Sequence, residues 1–418
     1  MKRILSSLLL LGAALAAPAQ TVLFHTGDST GVPYRIPAIA TAKNGDLIVL
    51  SDRRYCGGDI GNGRVDIVSR LSRDNGHTWH EAQLVYEGTG TRATAGYGDA
   101  AITADRRRNR LLLICCSGDV TYFASSQDHH QGIAVRQARF SRKHGTWTWG
   151  EMHDIAPSLY GDLFGGRIKA MFVGSGRLCQ SRKIKAGRYY RVYAPLCTNI
   201  GNFVVYSDNF GKTWKVLGDP AQSCAPKGDE PKCEELPDGS VVLSSRKAGG
   251  RYFNIFRYSN KRKGKGTWGE AVDSREQHDG ISNSSGACNG EILIVKARNV
   301  AGDKTYIALQ SLPAGPGRQN VTIYYKELCD ASDYASPTAF ASNWEGAYQV
   351  SARGSAYSTM TLQHDGRIGF FYEEEPGGYQ MVYVPLDLSV ITGGKYFTCG
   401  ANTRTPLTGK KVKEGFTF

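Results

Sequence analysis

Apolar residues in this chain fall in short runs rather than in helical stripes. Leu47–Leu50, Val65–Arg70, Leu111–Ile114, Tyr189–Tyr193, Phe203–Tyr206, Val241–Leu243, Tyr252–Tyr258, Ile292–Val295, Val321–Tyr325, Ile368–Tyr372 and Met381–Val384 are rich in Val, Ile, Tyr and Phe, and Gly, Asp and Asn bound them. β-Branched and aromatic side chains suit a pleated, half-buried surface, so runs of this length between turn formers predict strands. Few windows carry a 3.6-residue period, and 50 glycines supply tight turns. The chain reads as all-β. No Pro- or Ser-rich linker and no shift in composition divides it.

The turns repeat. Ser72-Arg73-Asp74-Asn75-Gly76-His77-Thr78-Trp79 and Ser207-Asp208-Asn209-Phe210-Gly211-Lys212-Thr213-Trp214 share one chemistry, the second with its Asp one position earlier. The Asp carboxylate is expected to accept N–H bonds of its own turn, Gly to supply φ > 0, and Trp to pin the hairpin onto the core. Thr148-Trp149-Gly150-Glu151 and Thr267-Trp268-Gly269-Glu270 are weaker copies, and Trp344-Glu345 reads as a fifth remnant. The gaps between these Trp are 70, 65, 54 and 76 residues, roughly one four-stranded blade with loops. Two stacked sheets rarely hold a domain this long, whereas radial repetition adds blades without enlarging any one core. Six blades of about 65 residues fill the length, which predicts a six-bladed β-propeller of four-stranded antiparallel sheets over residues 20–418. The tail from Gly394 is expected to complete a blade by pairing with the N-terminal strand.

Composition adds three constraints. Lys2 and Arg3 precede an apolar run from Ile4 to Ala14, and Ala17-Pro18-Ala19 offers a small-x-small cleavage site, so residues 1–19 read as a signal peptide and the protein as exported, periplasmic or secreted. That run is too short to span a bilayer, and no membrane span is expected elsewhere. The formal charge is +13, which favours anionic ligands by concentrating them. No nucleic-acid motif accompanies it, and Arg106-Arg107-Arg108 and Lys261-Arg262-Lys263 read as solvated loops. The ten Cys are compatible with disulfides in an exported protein, Cys224 and Cys233 being placed to staple a short segment, while Cys115 and Cys116 should face opposite ways on one strand. No zinc-like Cys/His spacing appears, and neither metal nor cofactor is expected.

The chemistry-bearing residues are scattered. They are Tyr34-Arg35-Ile36-Pro37; Ser51-Asp52-Arg53-Arg54 followed by Asp59; Gly98-Asp99-Ala100-Ala101; Glu230 with Arg246; Arg318 in Gly317-Arg318-Gln319-Asn320; Ala356-Tyr357-Ser358; and Phe371-Tyr372-Glu373. In this combination the chain resembles the bacterial-type exo-α-sialidases (neuraminidases), six-bladed propellers in which a Y/F-R-I-P motif and Asp-box repeats occur together. The resemblance implies that Arg35, Arg246 and Arg318 form a triad gripping the carboxylate of sialic acid, and that Glu373 orients Arg35. Guanidinium suits this task, being permanently charged, planar and bidentate. It implies further that Tyr357 is the nucleophile, Glu230 its general base and Asp59 the acid/base on a Gly-rich loop, with net retention. A phenol avoids the like-charge repulsion that an attacking carboxylate would meet at a reacting centre that bears its own carboxylate. Its ordinary pKa near 10 makes a neighbouring base necessary, and the arginine field is expected to stabilise the developing phenolate. Asp28 and Asp66 compete with Asp59, and Val65–Arg70 as a strand turns Asp66 into structure. Arg54, chosen over Arg53, and Asp99 match positions around the sugar's C4 hydroxyl and N-acetyl region, and Gln180 matches a loop near the glycerol arm.

The expected substrates are sialylated glycoproteins, glycolipids or oligosaccharides. Two other readings stand beside hydrolysis. A non-catalytic sialic-acid-binding propeller needs the arginines but not Tyr357, Glu230 and Asp59 together. A transglycosylating or intramolecular sialidase uses the same centre and differs only in water access and acceptor stacking.

Overall fold

The computed structural model describes residues 19–283, 288–376 and 378–399. The leader expected over residues 1–19 lies outside them, apart from Ala19, as does the tail beyond Cys399.

The described residues form an all-β, propeller-like ring. Antiparallel meanders follow one another along the chain. One sheet contains Ser355–Leu362, Ile368–Glu374 and Gln380–Leu386 with the N-terminal strand Thr21–Phe24; three further sheets have five strands each. A ten-stranded sheet holds two meanders, the first over Tyr34–Tyr86 and the second starting at Gly96, joined through the parallel pair Val65↔Gly96. The strands Tyr34–Thr41, Gly96–Ala104, Cys179–Ala186, Pro231–Glu235, Ile292–Asn299 and Ser355–Leu362 touch in that order, and the last touches the first, so they encircle an axis.

Each gap between successive meanders holds its own apolar layer. Tyr193 and Val204 meet Val241 and Leu243 in one; Leu309 and Ile323 meet Phe370 and Val382 in another. All eight are fully buried, and full burial of one such side chain is worth about 1.5–3 kcal/mol. Cys115 and Cys116 face opposite layers from the strand Arg110–Gly118, as alternation requires.

Closure departs from expectation. Thr21–Phe24 pairs with Gln380–Leu386, while the tail strand Tyr396–Thr398 pairs with Ile292–Asn299 instead. Two turn readings also change. In the first octapeptide Asp74 accepts from Thr78 N–H (2.9 Å) and Thr78 Oγ1 (2.6 Å), Gly76 has φ +86°, and the Trp79 ring meets Tyr383 edge-on at 5.0 Å. In the second, Asn209 takes that place, accepting from Thr213 N–H at 2.9 Å. Asp208 turns away to hold the fully buried Arg191 at 2.7 and 2.9 Å. Trp344 closes no hairpin: it follows the short helix Pro337–Ala341 and packs on Phe253. Cys224 and Cys233 are not joined: Cys224 donates to the Asn202 carbonyl rather than stapling to Cys233.

The ring has two distinct ends. Arg35 pairs across the ladder with Asp52, near the start of Tyr34–Thr41 and the end of Leu47–Arg54, and the Ala42–Asp46 turn lies at the opposite end. A bond of 3.1 Å from Asp99 N–H to Asp52 Oδ1 places Asp99 at the Arg35 end, which leaves the turn after Ala104 at the other.

Candidate active site

Three inner strands break their ladders at one end of the ring. The register slips between Arg35 and Ala38, between Gly98 and Ala101, and between Ser355 and Ser358. Ile36 and Asp99 sit at φ +60° and +55°, which costs a residue with a Cβ about 1–3 kcal/mol. A bulge breaks the alternation of the strand and re-aims the neighbouring side chain. Asp99 and Tyr357 lie inside two of these bulges, and Arg35 borders the third.

Glu373 ties two of the strands together. It is fully buried on Ile368–Glu374 and accepts from Arg35 Nε (2.8 Å) and Nη2 (3.2 Å), from Ile36 N–H (2.7 Å) and from Tyr357 N–H (3.0 Å). Burial works against the Arg35 charge, and the Glu373 carboxylate more than offsets it, so Arg35 is held cationic.

Tyr357 stands at the centre. Its hydroxyl donates to Glu230, and Arg246 Nη1 donates both to that hydroxyl at 3.2 Å and to Glu230 Oε2 at 2.9 Å. The Arg35 guanidinium lies 5.6 Å from the Tyr357 ring centre and that of Arg318 6.0 Å. The three arginines therefore converge on one phenol, although they are far apart in the chain. Arg318 is exposed, on the loop whose carbonyl at residue 318 accepts Ser355 N–H at 2.8 Å. Burial and the Glu230 charge push the Tyr357 hydroxyl well above its usual range, and Arg246 opposes them without prevailing. The phenol therefore keeps its proton at rest. Burial also raises Glu230, against the pull of Arg246.

Arg54 organises the second half. Its guanidinium, 3% exposed, donates to Asp52 Oδ2 at 3.3 and 3.0 Å and to Asp59, with Asp99 Oδ1 at 4.0 Å. Arg53 points elsewhere, to Asp66 at 2.9 Å. Asp66 is fully buried between Arg53 and Arg64, and Asp28 accepts from Tyr34 and Thr30, so both rivals of Asp59 have local structural partners. Asp59 is 82% exposed on its Gly-rich loop, anchored by buried Ile60. Burial first, then the Asp52 charge, pushes Asp99 up, and Glu230 adds to this. Arg54 in turn opposes the charge on Arg35. The two halves share one field.

Gln180 is not brought there. Its side chain accepts Arg106 N–H at 2.8 Å, and it lines a cavity with Ala40, Thr41 and Arg182, beyond the far ends of the strands that carry Arg35 and Asp99. The expected glycerol-arm contact is therefore withdrawn: the Gly176–Ala186 stretch runs down the ring, carrying residue 180 away from the mouth. Three neighbours escaped the sequence reading. Asp52 shares a strand face with Arg54 two residues on, a signal that alternation offers. Asp229 lies 3.5 Å from Arg246, and Arg35 sits 4.8 Å from the Tyr379 ring centre; neither has a sequence signal.

No protein-family model matches the chain. A sialidase of Micromonospora viridifaciens is 27% identical over 358 residues, 82% of this chain and 50% of the relative. A sialidase of Paraclostridium sordellii is 26% identical over 372 residues, 85% of each. The curated relatives are sialidases. The chain spans half the length of the Micromonospora protein. Among solved structures, the intramolecular trans-sialidase from Ruminococcus gnavus, in complex with oseltamivir carboxylate, superposes with a TM-score of 0.69 at 17% identity, covering 88% of this chain and 97% of that one. At that identity the likeness speaks for the propeller fold alone. Among the described residues no helix is long and apolar enough to cross a membrane.

Proposed function

We propose that the protein is an exo-α-sialidase releasing terminal sialic acid from glycoproteins, glycolipids or oligosaccharides with net retention. The observation that carries this is the convergence of Arg35, Arg246 and Arg318 on the Tyr357 ring, with Glu230 at its hydroxyl. Three guanidinium groups at one mouth suit a carboxylate-bearing sugar. Tyr357 attacks the anomeric carbon while its proton passes to Glu230, and Asp59 protonates the departing oxygen. Asp59 then takes a proton from water, which attacks from the face the leaving group vacated and displaces the tyrosyl oxygen, while Glu230 returns the proton to the phenol; Tyr nucleophiles are known for sialidases. A base raised by burial is better matched to a phenol, so the shift on Glu230 supports its role. Arg54 and Asp99 are assigned to the C4 hydroxyl and N-acetyl side, and Glu373 to orienting Arg35.

The same reading counts the ten-stranded sheet as two blades, giving six within one domain, and takes the leader signals to mean export. Tyr357→Phe tests it most directly. Turnover of a 4-methylumbelliferyl sialoside should fall by orders of magnitude while binding of free sialic acid persists; near-native turnover removes Tyr357 from the reaction. NMR of the first product formed by the wild type separates retained free sugar from an internal or acceptor-transferred product.

A further inference from the structure

The end of the ring opposite Tyr357 carries charge that the proposed reaction does not use. A cavity of about 390 Å³ opens there among Lys43, Arg107, Arg108, Arg110, Arg139, Arg142 and Arg188, and no carboxylate residue lines it. Four chain segments supply these cations: the hairpins after Thr41, Ala104 and Ala186, and the end of the strand Gly132–Ser141. Arg110 and Arg139 stand directly opposite each other across a ladder, an arrangement that destabilises a sheet when the charges are alike. Buried Asp105 meets Arg108 at 3.4 Å, while Lys43, Arg139, Arg142 and Arg188 have no carboxylate partner among the described residues. Uncompensated repulsion of this kind is relieved by an anion.

We infer that this basin is a binding site for a sulfated polysaccharide, separate from the sugar-cleaving mouth. Six of its seven cations are arginines, whose planar fork pairs two-fold with an oxyanion such as a sulfate ester. The tyrosine rings at its edge are already taken. Arg108 lies 4.9 Å from the Tyr189 ring centre, Phe210 stacks on that ring at 5.6 Å, and Arg106 and Arg107 lie 5.6 and 5.9 Å from Tyr190. Phe140, the one ring among the lining residues, is half-buried and packs against Trp147 at 5.4 Å, so the basin offers no open row of rings for successive bases, which disfavours single-stranded nucleic acid. The basin is concave, and none of the exposed large apolar side chains lines it, which disfavours a lipid surface. A polymer held here leaves the Tyr357 end open, so the enzyme can stay tethered to a sulfated glycan matrix while it acts.

The test is titration of the full chain with a heparin decasaccharide over a salt series. The triple variant Arg139→Glu/Arg142→Glu/Arg188→Glu is compared with a control, Lys169→Glu/Lys215→Glu/Lys304→Glu, that makes the same change in net charge at exposed positions outside the basin. The first triple should raise Kd about tenfold or more and make binding less steeply dependent on salt, since each lost contact means fewer counterions released. The control should move Kd less than about threefold, since screened distant charges contribute little. Both should hydrolyse a small soluble sialoside at the wild-type rate. On the wild type, the decasaccharide should protect Arg139, Arg142 and Arg188 from phenylglyoxal, a readout that does not depend on any variant folding. Equal losses in the two triples, absence of protection, or tighter binding of an oligonucleotide or of anionic vesicles overturns the inference.

Discussion

Glu373→Gln isolates what the arginine clamp needs. The carboxylate accepts four hydrogen bonds in full burial, two from Arg35 and two from the backbone at Ile36 and Tyr357. An amide keeps one acceptor and turns its NH2 toward donors that already need an oxygen, on either the Ile36 side or the Tyr357 side. Removing one partner from a buried ion pair costs about 3–5 kcal/mol. Arg35 is 21% exposed, so water recovers part of its loss. The expected destabilisation is therefore about 2–4 kcal/mol, read from urea unfolding. Catalysis should suffer separately: Arg35 loses its fixed fork and Tyr357 its backbone anchor, and misplacement of about 1 Å can cost ~100-fold. We expect kcat/KM for a 4-methylumbelliferyl sialoside to fall by about 10²–10³ under conditions where the variant is still folded. A variant within about threefold of wild type in kcat/KM, with unchanged stability, would refute the claim that one carboxylate sets both groups.

Three further outcomes follow from the geometry. Glu230 must be ionised to accept the Tyr357 proton, and burial raises it, so kcat/KM should climb with pH through an acid limb above the ordinary glutamate range near 4.3; a limb at or below that value removes Glu230 from the base role. Asp52, fully buried, is pushed up to about 6 by burial, against Arg54; the folded chain then holds a proton that the unfolded chain releases near 3.8. This group's share of stability is thus full below that range and falls as pH rises toward 6. Asp52→Asn should remove that component of the slope in urea unfolding across pH 4–6.5, and an identical slope in both proteins contradicts it. In the second octapeptide, Asn209→Ala removes a turn acceptor and should cost about 1 kcal/mol, whereas Asp208→Ala strands buried Arg191 and should cost more, about 2–3 kcal/mol after allowance for the 28% exposure of Asp208; equal losses in thermal unfolding would show that Asp208 does not anchor Arg191.

Much of the ring was legible because strand runs and turn formers are local signals. The Ser72–Trp79 turn could be read from its residues, since Asp74, Gly76 and Trp79 each act within a few positions. Ser207–Trp214 could not be read so far: Asp208 and Asn209 both offer an oxygen acceptor, and the choice is made by Arg191 seventeen residues away. Gln180 fails for a similar reason, because its direction depends on how far the Cys179–Ala186 strand has descended past the mouth before Arg106 meets it. Closure is non-local as well. The N-terminal strand and Tyr396–Thr398 are both short and apolar, and nothing in either fixes which edge it joins.

The bulges explain why the site resisted a strand-by-strand reading even where its residues were named. Strict alternation would send residues 35, 37 and 39 to one face, and likewise 97, 99 and 101. The slips at Arg35–Ala38 and Gly98–Ala101 break both series where the chemistry begins. Ile36 bears the cost of a left-handed backbone although its branched side chain disfavours it, and Glu373 repays part of that by accepting its N–H at 2.7 Å. Glu373 is thus a backbone clamp as well as a counter-charge. Local rules are expected to fail at a site held together by its surroundings, and here they fail on three neighbouring strands at one end of the ring. The convergence of Arg35, Asp99 and Tyr357 is a property of the closed ring, which no single segment could display.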